Sequence, residues 1–235
     1  MAQCGSVGSP RRSCTHSARM NSKLSVRVGR RSASGLGSRD RQRPQVACQY
    51  LALLRGINVG GKNLVKMAEL RAVFESMGFA DVATYIASGN VLFQSRRRTR
   101  EELAAEIESE LTRRFTTELK VVLVTEPHLK TVVEGAPREF GADSHLRDVV
   151  FVRKPLTVKK AFGAIEIREG VDSAWPGRGV LYFSRLAAKA TSSRLNKVAS
   201  LPEYKNMTTR SWSTTTKLLA LMESRSSGEP EAPVR

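Results

Sequence analysis

From Val46 to Glu223 the apolar residues follow two alternating rhythms. Val46–Arg55 is an almost unbroken apolar run of strand length, the pattern of a strand buried on both faces. In Lys66–Met77, Met67, Leu70, Val73, Phe74 and Met77 recur at helical spacing, and Gly78 closes the segment as a C-cap. Val82–Ala87 and Val91–Ser95 read as strands joined at Ser88-Gly89-Asn90, a hairpin turn signal. Thr99 caps a helix over Arg100–Phe115, with Leu103, Ile107 and Leu111 on one face, and Leu119–Val124 returns to strand. The predicted order is β-α-β-β-α-β.

A helix-like Pro127–Glu134 and a loop rich in Gly and Pro follow, and then the order recurs. Asp148–Arg153 is predicted as strand and Thr157–Phe162 as a short helix. Glu166–Arg168 and Val180–Ser184 read as a hairpin around the long turn "EGVDSAWPGRG". Ser193–Ser200 reads as helix, Met207–Trp212 as strand, and Ser213 as the cap of a last helix over Thr214–Met222. Two such units in tandem predict an α+β fold of two ferredoxin-like βαββαβ halves, 46–134 and 135–223, with an extra C-terminal helix. Sequence identity between the halves is negligible, so the repeat rests on element order alone.

Composition adds limits. A hydrophobic fraction of 40% suits a packed globule, and no stretch approaches the roughly 18 apolar residues that span a bilayer. The net charge of +17 is uneven: residues 1–45 hold ten Arg and Lys against the single acid Asp40, a net +9. With the balanced tail from Ser224 set aside, Val46–Glu223 retains +8, which attracts anions without selecting among them. The Ser-, Arg- and Gly-rich head lacks apolar periodicity and is expected to be disordered, as is the tail 224–235. Three accounts of the head compete: a transit segment, a nucleic-acid-binding arm, or a translation start assigned too far upstream, which fits best. Cys4, Cys14 and Cys48 have no metal or disulfide spacing and His16, His128 and His145 are scattered, so no metal site is expected and a reducing, cytoplasmic setting fits.

The chemistry gathers at one predicted edge. In a βαββαβ unit the first crossover makes the first two strands parallel, so their C-terminal ends lie side by side. That brings the loop "RGINVGGKN" (Arg55–Asn63) beside turn 88–90, and collects Arg55, Gly56, Asn58, Gly60, Gly61, Lys62, Ser88, Gly89 and Asn90. Glycines allow backbone N–H groups close approach to an anion. From Gly56 the loop nearly spells the phosphate-loop pattern G-x-x-x-x-G-K-S/T, but Asn63 replaces the hydroxyl that would hold Mg²⁺. A metal-holding acidic strand end is missing too, and the loop sits in an α+β pattern, so an NTPase is not expected. In the second half the corresponding reasoning gathers Arg210 and Trp212, whose indole could stack on a base or serve the core.

"YLALLRGINVGGKNLVKMAELRAVFESMGF", "TYIASGNVLF" and "MTTRSWSTTTKL" resemble, in order and spacing, the bacterial domain of unknown function 1697 family, over about Val46 to Glu223. The resemblance implies intertwined ferredoxin-like repeats in a family without an established activity. It maps the family's glycine-loop, S-G-N and R-N-W signatures onto Arg55–Asn63, Ser88–Asn90 and Arg210–Trp212, with Ser211 standing where the family usually has Asn.

The leading functional expectation is a phosphate-bearing small ligand, such as a nucleotide, held at loop 55–63 without a cofactor or metal. Arg55 and Lys62 would neutralise it, Gly60 and Gly61 amides would cradle it, and Asn58 and Asn90 would orient it. A nucleic-acid-binding module is the first alternative, weakened by an aromatic content of only 6%. A metal-free transferase or hydrolase on the same anion site is the second. Removing residues 1–45 is expected to leave the thermal unfolding midpoint of the chain unchanged, because a disordered head makes few native contacts.

Overall fold

The computed structural model describes residues 47–58, 64–96, 98–141 and 144–227. The expectations for the head and for Gly60, Gly61 and Lys62 lie outside them. Two four-stranded antiparallel sheets carry the fold. In the first, β1 (Ala47–Leu54), β2 (Ala80–Tyr85), β3 (Asn90–Arg96) and β4 (Val121–Thr125) are ordered β2-β3-β1-β4. In the second, β5 (His145–Val152), β6 (Asp172–Pro176), β7 (Val180–Leu186) and β8 (Met207–Ser211) are ordered β6-β7-β5-β8, the same arrangement. Helices α1 (Met67–Ser76) and α2 (Arg100–Phe115) belong to the first unit, α4 (Val158–Ala164) and α5 (Leu195–Val198) to the second. Helices α3 (Glu126–Glu134) and α6 (Trp212–Ser227) follow the last strand of each. The fold is α+β and ferredoxin-like twice over. No helix among the described residues is long and apolar enough to cross a membrane.

The near-continuous apolar run of β1 has a simple cause. β1 lies between β3 and β4 and is covered on both faces. Tyr50, Ala52 and Leu54 face a core closed by Leu70, Phe74, Leu103 and Ile107 of α1 and α2. Leu51 and Leu53 face a middle core shared with Val149, Phe151 and Tyr182 of the second sheet, and with Leu129 of α3 and Leu218 of α6. A third core lies between Val150, Leu181 and Phe183 on the far side of the second sheet and Ala161, Leu195 and Val198 of α4 and α5. The result is a layered helix–sheet–sheet–helix order in which strands alternate sides residue by residue.

Three elements depart from the sequence expectation. The first strand of the second hairpin is Asp172–Pro176, not Glu166–Arg168, so the turn shrinks to 177–179. β6 is an edge strand, which is why Pro176, lacking an N–H, is tolerated in it. The expected helix 193–200 reduces to the single turn α5, flanked by 3-10 turns over Ala187–Ser192 and Pro202–Asn206. The last helix begins at Trp212 and runs to Ser227, past the expected tail boundary. Its final turn packs back onto the first unit, where Arg225 meets the Asp81 carboxylate at 2.6 Å.

Two glycines of the predicted site separate strain from crowding. Gly56 (φ +70°) and Gly89 (φ +76°) both adopt left-handed backbone, but a Cβ on Gly56 would meet open space. On Gly89 it would fall 2.7 Å from Ile57 Cδ1 and 2.9 Å from Leu54 Cβ. Gly56→Ala is therefore expected to cost about 1 kcal/mol and Gly89→Ala about 2–4 kcal/mol, measured as urea midpoints at equal slope.

Candidate functional site

β1 and β2 run in the same direction on either side of β3, so the ends of β1 and β2 and the start of β3 meet at one edge. Leu53 and Tyr85 both pair with Asn90, and Leu54 N donates to Gly89 O at 2.8 Å. Loop 55–58 and turn 86–89 are thus neighbours, as the topology required.

The polar side chains at this edge are largely committed to the protein itself. Asn58 (φ +53°) donates through Nδ2 to Val65 O at 3.0 Å and to Ala87 O at 2.8 Å, and its Oδ1 accepts from Val65 N at 2.8 Å. It clamps the two ends of the glycine-rich segment together and ties them to the turn. Asn90 is fully buried; its Nδ2 donates to Tyr85 O and to Ser88 Oγ, both at 3.0 Å. Its Oδ1 accepts from Arg210 Nε at 2.5 Å.

Arg210 is the unexpected member. It sits on β8 of the second sheet, 7% exposed, yet its guanidinium reaches the first sheet's edge. Nη2 donates to Leu54 O (2.8 Å), Ser88 O (3.0 Å) and Gly89 O (3.2 Å), and Nη1 to Thr208 Oγ1 (2.9 Å) and Thr209 O (2.8 Å). No carboxylate pairs with it among the described residues; oxygen dipoles alone hold the charge. Burial pushes the guanidinium down to about 10, still protonated at neutral pH. Sequence reasoning placed Arg210 at a separate second-half edge. The fold instead brings it onto Ser88, Gly89 and Asn90, a pairing that only the face-to-face sheets create.

Trp212 is half-buried and packs edge-on against Phe140, with ring centroids 5.2 Å apart, beside the middle core. Its neighbour Ser211 accepts from Thr214 N at 3.2 Å, so the first turn of α6 is capped by Ser211 and not by Ser213. Serine and asparagine are nearly equal N-caps, so the Asn-to-Ser departure keeps the local chemistry.

Arg55 behaves differently. Its guanidinium carbon stands 4.7 Å from the centre of the Tyr204 ring, contributed by the 3-10 turn before β8. Its Nε is buried without a hydrogen-bond partner, and among the described residues no carboxylate lies within ion-pair distance. The equivalent residue of the second sheet is Arg153: Arg55 N donates to Lys120 O at 2.9 Å, and Arg153 N to Asn206 O at 3.0 Å. Arg153 is satisfied, with Nη1 on the Glu108 carboxylate and 3.1 Å from Val121 O. Of two structurally matched arginines, one is ion-paired with a carboxylate and the other has Glu118 only in its wider surroundings.

A pair of face-packed ferredoxin-like sheets, locked at one edge by a buried arginine, defines an α+β protein class and no reaction. The family model described as "Protein of unknown function (DUF1697)" matches residues 48–182, and the chain belongs to that family. The match ends at Tyr182, short of Arg210–Trp212, which the resemblance had included. A conserved bacterial protein from Streptococcus pneumoniae has a similar solved structure, with TM-score 0.67 and 24% identity over 75% of this chain and 99% of that one. At that identity it speaks for the fold alone. No curated protein matches the chain. Among the described residues no group of three or more His, Cys, Asp or Glu is placed to hold a metal.

Arg210→Met strands the oxygens of Leu54, Ser88, Gly89 and Asn90, and is expected to cost about 3–5 kcal/mol of folding stability. Arg210→Lys keeps the charge but loses the fork and should fall between. In a double-mutant cycle by chemical denaturation, Asn90→Ala added to Arg210→Lys should cost clearly less than the sum of the two.

Proposed function

We propose that the protein binds a phosphate-bearing small molecule at the edge formed by loop 55–63 and turn 86–89. The observation that carries this reading is the Arg55 guanidinium, stacked on Tyr204 with a buried Nε lacking a partner and the Glu118 carboxylate near it but beyond ion-pair distance. Its structural twin Arg153 has Glu108 instead. A guanidinium held by an aromatic face keeps its outward N–H fork available for a bidentate oxyanion. By sequence, Lys62 of the same loop supplies the second charge and Gly60 and Gly61 the backbone amides. Asn58, Asn90 and Arg210 serve this site by shaping it, since their hydrogen bonds are spent inside the protein. The free thiol of Cys48 accords with a reducing, cytoplasmic setting.

Arg55→Ala and Lys62→Ala are each expected to weaken a phosphate-bearing ligand found by mass spectrometry of small molecules co-purifying with the chain. The expected loss is about 10- to 150-fold by calorimetry. Asn58→Ala should instead lower stability by about 1–3 kcal/mol. The rival reading, a nucleic-acid-binding module, predicts submicromolar DNA binding with log K falling by about 0.9 per phosphate contacted for each unit of log salt. A steep salt slope of that kind, with Arg55→Ala and Lys62→Ala no worse than other surface Arg changes, would remove the pocket reading.

A further inference from the structure

The second sheet has its own copy of the edge just described. Val152 N donates to Gly179 O at 3.0 Å, as Leu54 N does to Gly89 O. The residue before the turn glycine is Ser88 in the first sheet and Arg178 in the second. Ser88 O is met by Arg210 from across the sheets; Arg178 O is met by His128 Nε2 of α3 at 2.8 Å. The other ring nitrogen, Nδ1, lies 3.0 Å from Arg100 Nη1 at the start of α2. One protonation state satisfies both contacts: a neutral imidazole that donates from Nε2 to the carbonyl and accepts at Nδ1 from Arg100. Burial first, then the charges of Arg100 and Arg178, hold the imidazole pKa below its ordinary value.

Arg100 and Arg178 are exposed and have no acidic partner within ion-pair distance among the described residues. They line a cleft of about 520 Å³ with His128, Thr125 and Thr131, and no carboxylate lines it. An adjoining cleft of about 260 Å³ shares Arg100, His128 and Gly179 and has an apolar floor that includes Val121, Leu123, Val152 and Leu156. Its one carboxylate, Glu101, is 3.1 Å from Lys154. Two arginines without an ion-pair partner among the described residues therefore line one cleft with a neutral imidazole, Arg100 bonded to the ring by its guanidinium and Arg178 by its carbonyl, beside an apolar shelf.

We propose that this double cleft binds a phosphate monoester, its phosphate between Arg100 and Arg178 and its organic group on the apolar shelf. The phosphate supplies the negative charge that the two arginines lack, and a bidentate guanidinium matches its oxygens. The apolar shelf favours an ester with a compact hydrophobic body over inorganic phosphate. The site lies where α2, β4 and α3 of the first unit meet turn 177–179 and Val152 of the second sheet, and it does not depend on Arg55 or Lys62. A bound dianion also offsets the repulsion that Arg100 and Arg178 exert on a protonated His128, so ligand and proton bind cooperatively at this edge.

The test uses the full chain with phenyl phosphate as probe, followed by NMR of the imidazole resonances, His128 being identified with His128→Gln. Saturable movement of the His128 resonances is expected, together with a raised His128 pKa. Inorganic phosphate and Arg178→Ala should each weaken the response about tenfold. Because Arg178 is exposed, its variant leaves the fold intact. Unmoved His128 resonances at about 10 mM phenyl phosphate, where even millimolar affinity would saturate, overturn the proposal. So does an undiminished response in Arg178→Ala. Loss of the response in Lys62→Ala but not in Arg178→Ala would assign the binding to the first sheet's edge and overturn it equally.

Discussion

A guanidinium with no counter-ion among the described residues lies at the junction of the two sheets, and much of the molecule is arranged around it. Burying a lone charge costs several kcal/mol unless its donors are met. Arg210 meets six oxygens: three carbonyls at the end of β1 and in the turn before β3, the amide oxygen of Asn90, and Thr208 and Thr209 of its own strand. Those oxygens come from both sheets, so the charge is tolerable only when the sheets are in register. The shape of turn 86–89 follows from the same requirement. Ile86 and Gly89 take left-handed backbone so that the carbonyls of Ser88 and Gly89 can point inward at the cation. The S-G-N and R-S-W segments are in this light one interaction read in two places.

The repeat is symmetric in backbone and asymmetric in charge. Matching main-chain bonds, Leu54 to Gly89 and Val152 to Gly179, show that both strand edges are built alike. The side chains that close them differ. Arg210 closes one with a fixed charge sunk among oxygens; His128 closes the other with a ring whose burial favours the uncharged form. Arg153 is spent on Glu108, while Arg55 is left on an aromatic face. The two sheets are equivalent frames, and the differences in ionic partners are what set them apart.

Most of the architecture was legible because periodicity reports burial directly. Strands covered on both faces, such as β1, read as apolar runs, and Thr99 does cap α2 by accepting from Glu102 N, while Thr157, expected as the first residue of its helix, caps α4 instead. β6 was not legible. An edge strand with one partner tolerates Pro176 and carries only partial burial, so its sequence looks like a turn. α5 was not legible either, because four helical residues between two 3-10 turns leave no periodic signal. At the site, the meeting of loop and turn could be read from chain order. The spending of Asn58, Asn90 and Arg210 on internal bonds could not, because a polar side chain looks the same in sequence whether it faces a ligand or a carbonyl.

The likeness of "GINVGGKN" to a phosphate loop ends for a physical reason. In a phosphate loop the Gly-Lys pair leads straight into a helix, whose first N–H groups and dipole face the anion. Here Asn58 pairs with Val65 through both its amide atoms, across the segment that holds the Gly-Lys pair. Leu64, Val65 and Lys66 intervene, and α1 starts at Met67 with no side-chain cap. The helix dipole falls off within its first turn, so at that remove it adds little. On the proposed reading, an anion at this edge is held by side-chain cations and loop amides, which concentrates the burden on Arg55 and Lys62. That is also why the Tyr204 ring matters: it is the contact from the second unit that holds the Arg55 fork at the first unit's edge.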